Sequence, residues 1–260
     1  MQAGVERNLG HDYLVDIEER YSETARITSP TPWDIMNELM QGGLGAGELG
    51  VVVAPAGIGK SWVLSAMGAY AISQGLNVVH YTLELNEAYV GLRYDSIFSG
   101  VESQNLKYHK EEVMEKLFNL KGNLTIKYYP TRACTVNTLS AHLKKVTTFG
   151  KKVDMVLVDY ADIMRDVGKA QEMRHALGNI YEDLRGLAGE LQVPIWTASQ
   201  ANRSALDEDV IEATKVAESY AKVMTERAAS PFFIFSNPSL ICSSGIVSAT
   251  ILSRSSKPRR

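Results

Sequence analysis

Cysteine is scarce in this chain of 260 residues: Cys134 and Cys242 lie far apart and form no Cys-x-x-Cys pair. A disulfide framework and a cysteine-based zinc site are therefore disfavoured, and a reducing compartment is expected. Long apolar runs are also missing, since no stretch of about 18 apolar residues occurs, and no membrane-spanning segment is predicted. The N-terminal stretch is too acidic and too weakly apolar for a signal peptide.

The chain also lacks an excess of positive charge. Its 27 Lys and Arg residues face 30 Asp and Glu residues, which gives a net charge of −3. Any contact with nucleic acid would therefore have to come from local patches. Hydrophobic residues make up 45% and charged residues 22%, the balance of an ordinary globular protein with enough apolar surface to fold. The length suits one large α/β domain or two small ones.

From residue 47 onward, apolar runs alternate with helical patterns. Gly50–Ala54 is a continuous apolar run, typical of a strand buried on both faces. Strands that alternate with helices predict an α/β fold with a mostly parallel, twisted sheet, right-handed crossovers and flanking helices. The further predicted strands are 77–82, 124–129, 153–158 and 193–198, and the predicted helices are 60–74, 86–99, 111–120, 136–147, 173–191 and 210–224.

The two ends of the chain depart from this pattern. In residues 1–30 the apolar side chains at 13, 14, 17 and 21 predict a short amphipathic helix, which either packs on its own domain or docks as an arm on a neighbouring subunit. Residues 227–260 contain nine serines, five basic residues and no acidic residue. Their stretches PFFIF, LICSS and GIVSATIL could each form a strand, and the tail SRSSKPRR looks disordered. This segment is either a native basic terminus or the product of an altered reading frame.

The segment Ala54–Ser61 (APAGIGKS) fits the P-loop, or Walker A, pattern with Ala in place of its first Gly. Gly57 and Gly59 allow a tight turn whose N–H groups point inward, and the helix that follows adds partial positive charge at its N-terminus. Lys60 supplies a charge for the β- and γ-phosphates, and the Ser61 hydroxyl is a hard ligand for Mg²⁺. A position between a buried strand and a helix argues against an incidental glycine turn. The predicted nucleotide-binding residues are Ala56, Gly57, Ile58, Gly59, Lys60 and Ser61.

Polar residues at the ends of later strands extend the predicted site. The run MVLVD ends in Asp159, and because the carboxyl ends of parallel strands converge, Asp159 is expected near Ser61, holding Mg²⁺ through water. Glu84 is the candidate to activate water, with Glu87 as its competitor and helix capping as the alternative role. Gln200 follows the last predicted core strand, where its amide either bonds the γ-phosphate or lies in a solvated loop.

Four segments, GELGVVVAPAGIGKS, HYTLEL, MVLVDYADIM and TASQANRS, together resemble the ATPase domain of DnaB-type replicative helicases, which are RecA-like P-loop ATPases. Phage-encoded relatives are the most similar in character. The resemblance covers roughly residues 30–225, and together with the composition of the two ends it divides the chain into three parts. They are an N-terminal arm or linker helix (1–30), a RecA-like ATPase domain (31–226) and an atypical, serine-rich, basic C-terminal segment (227–260).

The resemblance implies an ATP-dependent DNA helicase motor that uses ATP and Mg²⁺ to translocate on single-stranded DNA during replication. Such motors form rings, usually homo-hexamers, with primase or a helicase loader as candidate partners, in the cytoplasm of a bacterium or a phage-infected host cell. Carried over position by position, Lys60 and Ser61 bind phosphate and Mg²⁺ and Glu84 is the catalytic carboxylate. Asp159 is the metal-site acid, and Gln200 is the γ-phosphate sensor.

The resemblance also places two loops in the central channel, around residues 165–174 and 202–209. Their cations Lys169, Arg174 and Arg203 are the candidate DNA contacts. Few aromatic residues occur there, so contacts with the DNA backbone are expected rather than base reading.

Two departures from the family keep other functions open. About 45 residues precede the P-loop strand, where full-length relatives carry a sizeable domain, and residues 227–260 match no basic finger that would reach a neighbour's ATP. The alternatives are a RecA- or KaiC-like ATPase without unwinding activity, and an inactive ATP-binding ring module that lacks the finger. A nucleotide kinase and a transporter ATPase are disfavoured, because neither a dense arginine-rich lid nor an LSGGQ-like signature occurs.

Overall fold

The computed structural model describes residues 10–22, 26–168 and 173–200, together with two short strands further on. The α-helices are α1 (Ile17–Ser22), α2 (Asp34–Leu39), α3 (Lys60–Ser73), α4 (Glu87–Ser99), α5 (Lys110–Phe118), α6 (Val136–Thr148) and α7 (Met173–Leu191). The strands are β1 (Thr28–Ser29), β2 (Leu44–Gly45), β3 (Leu49–Ala54), β4 (Val78–Thr82), β5 (Leu124–Tyr128), β6 (Met155–Asp159), β7 (Ile195–Gln200), β8 (Phe232–Ile234) and β9 (Thr250–Ile251).

A mostly parallel sheet organises the described residues. Its strand order is β5-β4-β6-β7-β3-β8-β9, and every neighbouring pair is parallel except β8 with β9. β1 and β2 form a separate antiparallel pair. The predicted α/β fold class is therefore confirmed.

Both faces of the sheet are covered, because successive residues of each central strand point to opposite sides. Val51 and Val53 of β3 join a buried cluster with side chains of α6 and α7. Val52, between them, joins a second cluster with α2, α3 and α4. This two-sided burial is what the continuous apolar run of β3 predicted. It leaves the strand ends as the place where polar groups collect.

Several boundaries differ from the sequence predictions for local reasons. β4 begins at Val78, one residue later than predicted, and ends at Thr82 as predicted, where the Thr82 hydroxyl bonds the main chain of Leu85 and closes a turn. β7 extends through Gln200, since its ladder with β3 continues to that residue. The N-terminal helix starts only at Ile17, because the Asp12 carboxylate bonds the main-chain N–H groups of the two residues at 14 and 15 and forms a turn.

Some predicted elements lie outside the described residues, namely the helix 210–224, the loop 202–209, the stretch LICSS and the tail SRSSKPRR. In the C-terminal segment, PFFIF contains β8, which pairs in parallel with β3, and GIVSATIL contains β9. Helix α2 and the β1–β2 pair were not predicted. No helix in the described part of the chain combines the length and the apolar character needed to cross a bilayer.

Candidate nucleotide-binding site

The P-loop connects the end of β3 to the start of α3. Gly57 has φ +81° and Gly59 has φ +98°, a left-handed backbone that side chains with a Cβ rarely adopt. A Cβ built on Gly57 would meet nothing within 4 Å, so backbone conformation rather than crowding is what requires glycine there. The loop leads directly into the N-terminus of α3, and the N–H groups that precede the first hydrogen bonds within the helix make this end suited to bind an anion.

Lys60 is the first residue of α3 and lies over the loop. Its ammonium donates hydrogen bonds to the main-chain carbonyls of Ala54 (3.1 Å) and Pro55 (3.0 Å). The same nitrogen lies 5.9 Å from the centre of the Tyr160 ring. The ammonium is therefore held at the loop that the sequence predicted for phosphate binding.

Carboxylates surround this ammonium. Burial lowers the pKa of Lys60, and the charges of Asp162, Glu84 and Asp159 oppose that shift. Three acids that reach one lysine must lie near one another, although they come from different parts of the chain. The strand ends thus bring together the predicted Glu84 and Asp159 with Asp162, which the sequence analysis did not predict.

Asp159 and Ser61 form the predicted pair. The Ser61 hydroxyl donates a hydrogen bond to Asp159 Oδ1 at 3.0 Å, and Asp159 is only 3% exposed. Burial raises the pKa of Asp159, and the Ser61 hydrogen bond together with the positive charge of Arg93 opposes that shift. Arg93 itself lies over the Trp62 ring, 5.4 Å from its centre.

The two oxygens fit Mg²⁺. The Ser61 hydroxyl would bind the ion directly, and Asp159, hydrogen-bonded to Ser61 at 3.0 Å, would hold it through water as the sequence predicts. A hydroxyl and a carboxylate are hard donors of the type that this ion prefers, with water and phosphate oxygens completing its coordination. The residues present therefore suit the ion.

Glu84 lies exposed in the bend after β4. It is one of the acids that favour the charged form of Lys60, and its negative charge also acts on the Tyr160 hydroxyl. Burial first, and then the charges of Glu84 and Asp162, raise the pKa of Tyr160 to about 12. Tyr160 thus connects the strand end at Asp159 to the candidate base.

The sequence left two alternatives to Glu84 as the base: Glu84 could cap helix α4 instead, or Glu87 could be the base. The structure gives different contacts in both cases. Asn86 caps α4 by accepting a hydrogen bond from the Tyr89 N–H at 3.0 Å. Glu87 is the first residue of α4 and accepts the Tyr128 N–H of β5 at 3.1 Å; that main-chain bond, with the nearby Lys127, lowers the pKa of Glu87. Glu84 is therefore not the helix cap, and Glu87 is engaged with the neighbouring strand.

Gln200 is exposed at the carboxyl end of β7 and is paired in register with Ala54, where the P-loop begins. Its main-chain N–H donates to Asp162 Oδ2 at 2.9 Å. This position fits a sensor of the γ-phosphate, and that role stays a prediction.

Of the three candidate DNA contacts, only Arg174 lies among the described residues. Lys169 and Arg203 lie outside the described residues, and Arg174 is the second residue of α7. Their role stays a prediction. The sequence analysis missed Asp162 and Arg93, although Asp162 had a signal: it is the second acid in MVLVDYADIM, three residues after Asp159.

Geometry alone defines a class of protein. A glycine turn between a buried strand and a helix, with Ser61 bonded to Asp159 at a parallel strand end, is the arrangement of P-loop nucleoside triphosphate-binding domains. In fold the chain is similar to a solved structure titled as an ATPase domain. That match has a TM-score of 0.67 and 16% identity, and it covers 85% of this chain and 81% of the other. A solved DnaB-like replicative helicase, whose title includes its interactions with primase, matches with a TM-score of 0.68 and 16% identity, over 86% of this chain and 56% of that one.

The chain belongs to the family of the DnaB-like helicase C-terminal domain, whose model matches residues 30–210. It is 27% identical over 227 residues to the DnaB-like replicative helicase of Enterobacteria phage T4, which covers 81% of this chain and 47% of that protein. It is 26% identical to the replicative helicase DnaB of Geobacillus stearothermophilus, over 73% of this chain and 43% of the relative. The chain thus spans less than half the length of these relatives, and the resemblance drawn from the sequence is confirmed.

Proposed function

We propose that this chain is the ATP-hydrolysing motor domain of a replicative DNA helicase, which translocates on single-stranded DNA as a ring of identical subunits. Membership of the DnaB-like helicase family supports the proposal. The observation that carries it is the 3.0 Å contact between Ser61 and Asp159 beside Lys60. An incidental glycine turn has no reason to meet a buried carboxylate from a strand 98 residues later in the chain.

In the proposed reaction the N–H groups of the P-loop and the N-terminus of α3 bind the phosphates of ATP. Lys60 exchanges its main-chain carbonyl partners for β- and γ-phosphate oxygens, whose negative charge is a stronger partner for an ammonium. Mg²⁺ held by Ser61 and Asp159 would neutralise further phosphate charge. In this proposal the Lys60 charge stabilises the negative charge that accumulates on the phosphate oxygens during phosphoryl transfer, and such electrostatic stabilisation is the main requirement for catalysis of this reaction.

Glu84 is the proposed general base. Its place after β4, near Lys60, allows it to orient a water in line with the γ-phosphate and to accept the proton as the bond to the leaving oxygen breaks. Gln200 is the proposed γ-phosphate sensor at the next strand end. Loss of the γ-phosphate would then alter the start of the segment that follows β7, where the candidate DNA contact Arg203 lies.

The proposed partners are single-stranded DNA and further copies of this chain, with six subunits as the expected ring. Primase or a helicase loader is a further proposed partner, in the cytoplasm of a bacterial or phage-infected cell. One of the solved structures in this fold is titled for its interactions with primase.

One set of measurements tests the function. ATP hydrolysis is measured with and without single-stranded DNA, alongside the solution mass and the unwinding of a 5′-tailed duplex. DNA-stimulated hydrolysis with strand separation supports the helicase motor. Hydrolysis without strand separation would instead indicate a RecA- or KaiC-like ATPase, and tight ATP binding without turnover would indicate an inactive ring module.

A further inference from the structure

Asp162 is a carboxylate at the same strand ends that the proposed reaction does not use. It lies in the short 3-10 helix Ala161–Ile163, directly after β6. Its Oδ1 accepts the Tyr181 hydroxyl at 2.7 Å. Its Oδ2 accepts the Ser199 hydroxyl at 3.1 Å and the Gln200 N–H at 2.9 Å. Three donors from two other elements therefore converge on one side chain.

These donors belong to the elements that border the predicted DNA-contacting loops. Tyr181 lies on α7, which follows the loop around residues 165–174. Ser199 and Gln200 end β7, directly before the loop 202–209. Asp162 itself follows the metal-site strand by three residues. One carboxylate, three residues after Asp159, thus contacts the strand end that precedes one loop and the helix that follows the other.

Hydrogen bonds also connect β6 to β7 just below Asp162. The Thr197 hydroxyl donates to the Val158 carbonyl at 2.8 Å and accepts the Ala161 N–H at 3.1 Å. β7 in turn pairs with β3 up to the residue where the P-loop begins. A continuous set of contacts therefore joins the P-loop, β7 and Asp162. A movement of Gln200, the proposed γ-phosphate sensor, would be passed along these contacts to Asp162.

We propose that Asp162 is a positioning residue that couples the nucleotide site to the DNA-contacting segments. It holds the main chain of Gln200 and the helix α7 at fixed positions relative to Asp159. Hydrogen bonds to a carboxylate are charge-assisted and about twice as strong as neutral ones, so the three donors lose strength together when the charge is removed. The inference rests on the proposed function, because it assigns a route between the two sites of that motor.

The test compares Asp162→Asn with Asp154→Asn in the full chain. Asp154 is a matched control. It directly precedes β6, at the opposite end of the strand from Asp162. It also accepts three hydrogen bonds, from the Asn77 N–H, the Asn77 amide and Lys152. The readouts are kcat and KM for ATP, each with and without oligo-dT as the single-stranded DNA. Asn at 162 can still accept from Gln200 and donate to the Tyr181 oxygen, so the local geometry is kept while the charge is lost.

Asp162→Asn is expected to reduce the stimulation of kcat by oligo-dT at least about fivefold, the lower range of allosteric coupling. KM for ATP without DNA is measured as well, because the Asp162 charge also acts on Lys60 and a change in ATP binding must be separated from a change in DNA stimulation. Asp154→Asn should keep the wild-type stimulation. Equal stimulation in wild type and Asp162→Asn, or an equal loss in both variants, overturns the coupling role.

Two further outcomes are separable. A wild-type chain that hydrolyses ATP but ignores oligo-dT rejects the helicase function itself, and the coupling with it. If Asp162→Asn does not fold, Tyr181→Phe and Ser199→Ala each remove one donor, and a partial loss of stimulation is expected from both. Wild-type stimulation in both of these variants overturns the proposal.

Discussion

The two ends of β6 carry the same kind of residue in opposite circumstances. Just before the strand, Asp154 accepts hydrogen bonds from Asn77 and Lys152. Burial would raise its pKa, but those donors outweigh burial and lower it. At the other end Asp159 is only 3% exposed, and burial raises its pKa despite the Ser61 hydrogen bond.

The comparison distinguishes Asp154, a carboxylate that stabilises the fold, from Asp159, a carboxylate whose burial costs stability and is explained by a functional role. Asp154 gains more from its donors than it loses by leaving water, so its charge stabilises the native state. Asp159 does not, and groups with pKa values raised by burial beside a cation are concentrated at functional sites. The partner that would offset the burial of Asp159 is a cation held together with Ser61. Substitutions at either end of the sheet test this contrast.

The largest expected effect on activity follows from removing the positive charge of Lys60 at the carboxyl ends of the strands. Lys60→Ala should lower kcat/KM for ATP by about 10³–10⁵, comparable to the loss of another phosphate-binding cation in related enzymes. The fold should survive, because within the described ranges the Lys60 ammonium donates to two main-chain carbonyls of its own loop, those of Ala54 and Pro55. The measurement is steady-state ATP hydrolysis, with the thermal midpoint as the check on folding.

Lys152→Ala is the matched control for that change, since Lys152 pairs with Asp154 at the opposite end of the same strand. Its kcat/KM should equal that of wild type. An unchanged activity in Lys60→Ala would reject the P-loop assignment and remove the functional half of the comparison.

A smaller loss is expected at the candidate base. Glu84→Gln should keep ATP binding and lower kcat by about 10²–10⁴, the usual contribution of a general base. Glu87→Gln is the control, because Glu87 is bonded to the main chain of β5 and should affect stability more than turnover. Nucleotide binding by fluorescence and single-turnover hydrolysis separate the two steps. Loss of binding in Glu84→Gln would assign Glu84 a structural role.

The parts of this site that could be predicted are those that leave a local pattern in the sequence. The P-loop, with Lys60 and Ser61, was readable because glycines at positive φ and a strand-to-helix junction leave a fixed pattern in sequence. The place of Asp159 followed from the convergence of parallel strand ends. Both predictions needed only the order of elements, which the alternation of apolar runs supplied.

The contacts of Asp162 were not predictable in the same way. Its donors come from α7 and from the end of β7, 19 and 37 residues further along the chain for Tyr181 and Ser199. The contact between these donors and Asp162 depends on how α7 packs against the sheet. The periodicity of apolar residues does not predict that packing. The strand end at Gln200 was also missed by two residues, since pairing with β3 rather than local apolar pattern extends β7.

The smallest expected effect is at the amino end, where Asp154→Asn should lower the thermal midpoint at pH 7 by about 2–4 °C. Exposure of the Lys152 partner keeps the effect modest through solvent screening. The folded pKa of Asp154 lies below its unfolded value of 3.8. The stabilisation is therefore present above that value and is lost as pH falls through the folded pKa. Thermal unfolding followed by circular dichroism at pH 7 and near pH 2 should show a difference between wild type and variant only at pH 7. An equal difference at both pH values would mean that the charge of Asp154 does not contribute to stability. Asp154 and Asp159 would then differ only in how deeply they are buried.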